Sequence, residues 1–247
     1  MKRITLLLIG FYLLSTYSLA QNITIVTEEY PPYNYLHDNK ITGMSAEVVL
    51  AVVKEANVTY THDIYPWARA YQMAQRDSNT LIHSIGRTAK RENIFQWIGV
   101  IAPTQFCLIS LKKREDIQIN SLDDLKQYKI GTIRDDIQEK YLLNMGFTKD
   151  KQIISVSRQK QNFDLLLKSR IDLWASVELT ASHIARQNKH IPDEILKTKF
   201  CFKDLSTEGV YMAFSKNTTP SLIKEFTKAL IKIKKNGVYD SILRKYL

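Results

Sequence analysis

The run Ser84-Ile85-Gly86-Arg87-Thr88-Ala89-Lys90-Arg91, continuing into Glu92-Asn93-Ile94-Phe95-Gln96-Trp97, concentrates the side chains best able to do chemistry. Thr80 to Ile85 reads as a short buried strand, Gly86 breaks it, and Thr88 is a good N-cap for a helix beginning at Ala89. Lys90 and Arg91 would then occupy the first helical turn, where the backbone already carries about half a positive charge and each cation costs about 0.3–1 kcal/mol. A bound anion removes that cost. Arg91, with free backbone N–H groups at a strand-to-helix turn, would form a carboxylate cradle with the guanidinium as a bidentate fork. Arg87 and Arg69 could widen the anionic preference. The competing assignment pairs Arg91 with Glu92 or another surface acid, and leaves Arg69 facing solvent.

Other chemistry is thin. Catalysis would need a buried acid or histidine aimed at a cleft, and only His83 and Glu178 qualify; a histidine at a strand end is more often a hydrogen-bonded wall residue. No His-Glu-x-x-His, Gly-x-Ser-x-Gly or cysteine-nucleophile signature occurs. Cys107 and Cys201 are too far apart for a metal-ligand spacing, and sequence leaves open whether they bridge. No metal or cofactor is expected.

The elements that must hold these residues alternate between strand-like and helix-like runs, the pattern of an α/β chain with a parallel or mixed sheet. Ile23 to Thr27 reads as a first strand, followed by the loop Tyr30-Pro31-Pro32-Tyr33 and a helix capped by Ser45. Trp67 to Gln75 reads as a second helix and Phe106 to Leu111 as a later strand. The alternation restarts after Ser121: strands at 129–133, 153–156 and 171–175 are each followed by a helix. In the tail, Val210 to Phe214 is strand-like, and Thr219-Pro220 opens a helix with Leu222, Phe226, Leu230 and Ile233 on one face. Nothing resembles a repeat or a flexible linker, so two lobes would be joined by ordered crossings.

Met1-Lys2-Arg3, the apolar run Ile4 to Leu14 and Ser18-Leu19-Ala20 have the three regions of an export signal, which predicts residues 1–20 as a leader and a periplasmic protein beginning at Gln21. The formal charge is +10. Its Lys and Arg read as spread along the chain, which argues against nucleic acid and for a solvated surface with mild attraction to anions or membrane faces.

Taken in order, the Tyr-x-Pro-aromatic loop after strand one, Thr88-x-x-Arg91, Arg170-Ile171-Asp172 leading a strand, and the ending Gly237-x-Tyr239-x-x-Ile242-x-x-x-Tyr246 resemble the bacterial extracellular solute-binding proteins of family 3. The resemblance covers nearly all of the chain beyond the leader. It implies a type II periplasmic binding fold of two lobes, each a mixed sheet flanked by helices, with the ligand in the cleft between and hinge closure around it. It divides the chain into lobe 1 at 21–110 and 204–247, and lobe 2 at 111–203. It also implies a monomeric receptor for a small carboxylate-bearing solute, an amino acid or relative, delivered to the permease of an ABC importer. By the same resemblance Tyr30 and Trp67 cover the ligand, Ser84 and Gly86 offer polar contacts, and Arg91 grips an α-carboxylate. Arg134, Asp135 and Asp136 on the second lobe lie where further contacts arise. The family's ammonium-holding acid falls on Val177 here, which shifts that role to Glu178 or removes it. The alternatives are a periplasmic enzyme on the same fold, dehydratase-like, and a soluble input for a membrane sensor.

Overall fold

The computed structural model describes residues 22–205 and 208–247; the expected leader lies outside them. β1 (Asn22–Thr27) leads to a hairpin of β2 (Tyr35–His37) and β3 (Lys40–Thr42), then α1 (Met44–Ala56), β4 (Thr59–Ile64), α2 (Trp67–Arg76), β5 (Thr80–Gly86), β6 (Phe95–Ala102) and β7 (Phe106–Leu111). After a 3-10 turn at Asp123–Gln127 follow β8 (Ile130–Ile133), α3 (Ile137–Asn144), β9 (Ile153–Val156), α4 (Gln159–Leu167), β10 (Leu173–Val177), α5 (Glu178–Gln187), α6 (Pro192–Ile195) and β11 (Leu196–Cys201). The chain ends with β12 (Val210–Ser215), α7 (Pro220–Lys235) and α8 (Val238–Leu243).

These strands make two five-stranded sheets, β4-β1-β5-β12-β6 and β11-β7-β10-β8-β9. In the first, β1 runs parallel to β4 and β5, while β12 lies antiparallel between β5 and β6. In the second, β8 is parallel to β9 and β10, and β7 lies antiparallel between β10 and β11. Each sheet therefore holds four strands running one way and a single antiparallel one, β12 or β7, which is a strand beside a crossing between lobes. Helices cover both faces of the central strands, which is why β5, β7, β10 and β12 are buried at every position and read as continuous apolar runs. The inner stripe of α7, with Leu222, Phe226, Leu230 and Ile233, packs with α1 on the first sheet as its 3.6-residue period predicts.

Two expectations are corrected. β7, expected in the first lobe, pairs with β10 and β11, so the outward crossing is 103–105 and not 110. The apolar character of Phe106 to Leu111 was plain, but its partners are settled by register, which a continuous hydrophobic run does not encode. The helix expected from Ala89 is a series of turns: Arg91 N–H bonds the Thr88 carbonyl at 2.9 Å and Ile94 N–H that of Arg91 at 3.0 Å. Only residues 87–94 separate β5 from β6, too few for a helix and its return. Cys107 and Cys201, partners in the β7–β11 ladder, form a disulfide. It joins the strands that flank the two crossings.

Candidate functional site

Where the lobes face each other, the end of β1, the turn after β5 and the start of α3 converge on a small enclosure lined by Glu28, Tyr30, Trp67, Ser84, Gly86, Arg91, Asp136 and Gln138. The space left among them is about 20 Å³, room for about one water. The lobes are thus closed on one another. Trp67, at the start of α2, donates its Nε1–H across the gap to the Asp135 carbonyl at 3.0 Å, and Lys90 Nζ donates to Asn144 Oδ1 at 3.0 Å.

Arg91 is only 4% exposed. Its Nη1 donates to the Gly86 carbonyl at 2.9 Å, its guanidinium lies 5.3 Å from the Trp67 ring centre and 5.1 Å from that of Tyr71, and Nη2 has no hydrogen-bond partner. Burial lowers its pKa, with Asp136 and Glu28 among the charges that oppose the shift. A buried guanidinium with an open N–H is unfinished chemistry: leaving such a donor unmade costs about 1–3 kcal/mol, and a carboxylate would complete it. The cation first attributed to a helix end instead sits in a buried turn, under the electrostatic influence of two buried acids.

Those acids are Glu28 and Asp136. Burial, and then the charge of Asp136, push the Glu28 carboxyl up to about 8 against the pull of Arg91. Burial likewise raises Asp136 to about 7, opposed by the Glu139 N–H. Asp136 is the N-cap of α3, accepting from Glu139 N–H at 2.6 Å. The fully buried Glu139 turns back to accept from Asp135 N–H at 2.7 Å and from the Ser155 hydroxyl, fixing the loop that carries both aspartates. On the other side, Asn34 donates to the Glu28 carbonyl at 2.6 Å and accepts from Ser84. Ser84 has φ 57, a left-handed conformation uncommon for serine, and that bond secures it. Tyr30 stacks on Tyr33 with ring centres 4.9 Å apart, closing the roof.

Of the expected residues, Tyr30, Trp67, Ser84, Gly86, Arg91 and Asp136 are gathered in one place. Three are not. Arg87 lies at the surface, its Nε bonding Glu92 at 2.9 Å beside Trp97 and Tyr211, so it is Arg87 and not Arg91 that pairs with Glu92. Asp135 offers its backbone to Trp67 but its side chain lines no part of the enclosure. Glu178 is exposed on a separate shallow groove with Ala181 and Asp193, because β10 ends with Val177 turned into the wall and the next residue starts α5 toward solvent. His83 is fully buried behind Ser84, its Nε2 2.9 Å from that of His62, and burial keeps both rings below the usual histidine range. It is wall.

Glu28, Gln138 and Gln159 were missed. An acid directly after a buried strand and before Tyr-Pro-Pro was a legible signal for Glu28; the glutamines carry none. Trp67→Phe keeps the ring and removes the donor to Asp135, and should weaken ligand affinity about fivefold, the worth of about one net hydrogen bond. Isothermal titration calorimetry reads this directly, and unchanged affinity would remove Trp67 from the closing contact.

Comparison with known proteins agrees with this architecture. A probable histidine-binding protein of Campylobacter jejuni subsp. jejuni serotype O:2 is 22% identical over 227 residues, covering 88% of this chain and 81% of that protein. Among solved structures, an ancestral arginine-binding protein bound to arginine superposes with a TM-score of 0.78 at 21% identity, covering 92% of this chain and 98% of its own. A histidine kinase sensor domain with similarity to periplasmic binding proteins gives 0.79 at 19% identity, covering 92% and 96%. At these identities the structures establish the fold, a type II periplasmic binding protein. Residues 23–247 match the family described as bacterial extracellular solute-binding proteins, family 3, and the chain belongs to it.

Proposed function

We propose that this protein is a periplasmic receptor that captures an amino acid with a cationic side chain, without changing it chemically, and delivers it to the permease of an ABC importer. The observation that carries the reading is the charge inventory of the enclosure: two buried carboxyl groups, Glu28 and Asp136, against one buried guanidinium, Arg91. An α-carboxylate completes Arg91. An α-ammonium satisfies one acid, and a second cation on the ligand satisfies the other. A neutral amino acid leaves one carboxyl to be buried protonated, whereas an acidic one adds repulsion. Asp136 takes the ammonium role that the resemblance assigned to the position of Val177. Relatives named for binding histidine and arginine support the same class.

The test is a thermal-shift panel of arginine, lysine, ornithine, histidine, glutamine and glutamate, with mass spectrometry of the recovered ligand. At a hundred times its dissociation constant a ligand adds about 2.7 kcal/mol, or roughly 5–10 °C at this size. Cationic amino acids should shift the midpoint most and return unaltered. A larger shift with glutamate would overturn the charge argument, and conversion of the ligand would replace capture by catalysis.

A further inference from the structure

The basic excess is not evenly distributed, contrary to the impression given by the linear sequence. Residues 216–247 carry eight of the Lys and Arg (Lys216, Lys224, Lys228, Lys232, Lys234, Lys235, Arg244, Lys245) and two acids (Glu225, Asp240), a net of +6 out of the formal +10. Most of this charge lies on α7, α8 and their ends, which pack on α1 and the first sheet and contribute nothing to the lining of the enclosure. Acids of α1 neutralise only the flanks: Glu55 pairs with Lys232 at 2.5 Å and Glu47 with Lys245 at 2.6 Å. Lys224, Lys228 and Lys235 make no ion pair among the described residues and are exposed.

Those three lysines share one stripe of α7 with Ile231, spaced alternately four and three residues apart, over about 16 Å of helix. Ile231 is 48% exposed, and Val238, at the start of α8, is 39% exposed. This outward stripe is separate from the apolar stripe that faces the core. We propose that the α7–α8 face docks the receptor reversibly on an anionic phospholipid surface, with the lysines among the headgroups and Ile231 and Val238 touching the interface. The chemistry of the stripe favours lipid over other anionic partners. It is built from lysine, a mobile point charge suited to a fluid array of headgroups, and lacks the arginine forks and stacking aromatics that read nucleic acid. Its residues are exposed along one side of a helix, which suits a yielding surface. No residue of α7 or α8 lines the enclosure, so docking this way leaves the solute site untouched while the receptor searches for its permease in two dimensions.

The experiment is co-sedimentation of the exported protein with vesicles of phosphatidylcholine alone and of phosphatidylcholine with about one-third phosphatidylglycerol, where polybasic segments bind by charge. Binding is expected only to the anionic vesicles, with loss at molar salt, where the screening length falls to about 3 Å. The triple variant Lys224→Glu, Lys228→Glu, Lys235→Glu should lose at least tenfold in vesicle affinity, while its thermal midpoint and solute-induced shift stay as in the parent protein. Ile231→Ser should weaken anionic-vesicle binding severalfold. Equal binding to neutral vesicles, retained binding by the triple variant, or no binding to anionic vesicles would each overturn the proposal. None of these outcomes bears on the cleft.

Discussion

Arg91→Ala should fold, keep most of its thermal stability and lose at least about thirtyfold in ligand affinity. Truncating one member of a buried, hydrogen-bonded charge pair costs about 2–5 kcal/mol, which is roughly 30-fold to several thousandfold in affinity. Folding survives because the neighbours left behind are carboxyl groups already displaced upward by burial; Glu28 and Asp136 take up protons and do not remain as bare charges. Arg87→Ala is the matched control. Arg87 sits at the surface on Glu92, and its loss should leave affinity unchanged. Calorimetric titration of both variants with the amino acid found in the panel separates the two arginines. Full affinity in Arg91→Ala would end the carboxylate assignment.

The second large effect is a dependence of affinity on pH. A cationic ligand needs both acids ionised, whereas the empty enclosure holds Glu28 near 8 and Asp136 near 7. Binding therefore releases protons below those values, and affinity should rise from pH 6 to pH 8 by up to several hundredfold, on the order of what two linked protonations supply. The empty protein moves the other way. A carboxyl whose folded pKa is raised stabilises the fold below its ordinary value and loses that contribution as pH climbs through the shifted one, so these two groups lower the stability of unliganded protein between about pH 4 and pH 8. The gap between loaded and empty midpoints should widen accordingly. Calorimetry in buffers of different ionisation enthalpy counts the released protons, and Glu28→Gln should flatten the upper part of the profile. An affinity independent of pH across this window would mean that the acids do not meet the ligand's cations.

How far the sequence could be read depended on whether the signal was local. Most strand and helix types followed from apolar runs and caps, and α5 begins and ends where its pattern says, but β4, largely exposed, and β6 were not read from the sequence. Arg91 was reached through a first helical turn that does not form, and Trp67 through the resemblance; burial, which neither argument used, is what gathers both at the enclosure. Glu178 was misassigned because offset by one residue at a strand end decides between wall and solvent, and only the register with β7 fixes it. The turn at 88–94 was misread because a good N-cap type says nothing about how many residues remain before the next strand. The C-terminal charge was invisible as a cluster because its lysines alternate with the core positions of an amphipathic helix; only a helix wound and docked on α1 brings Lys224, Lys228 and Lys235 to one side.

β12 has a consequence for how the molecule is assembled. It lies between β5 and β6, and among the strands of the first sheet it is the sole partner of β6. As the chain emerges from its N-terminus, β1, β4 and β5 can pair at once, but β6 must wait, unpaired, until residues 210–215 arrive more than a hundred positions later. The second lobe has no such delay, since its strands span 106 to 201 without interruption. It can be complete while the first lobe is still a half-built sheet with an open edge, the kind of edge that pairs with other chains when left exposed. The order of birth is thus the reverse of the order of sequence: the lobe begun first is finished last.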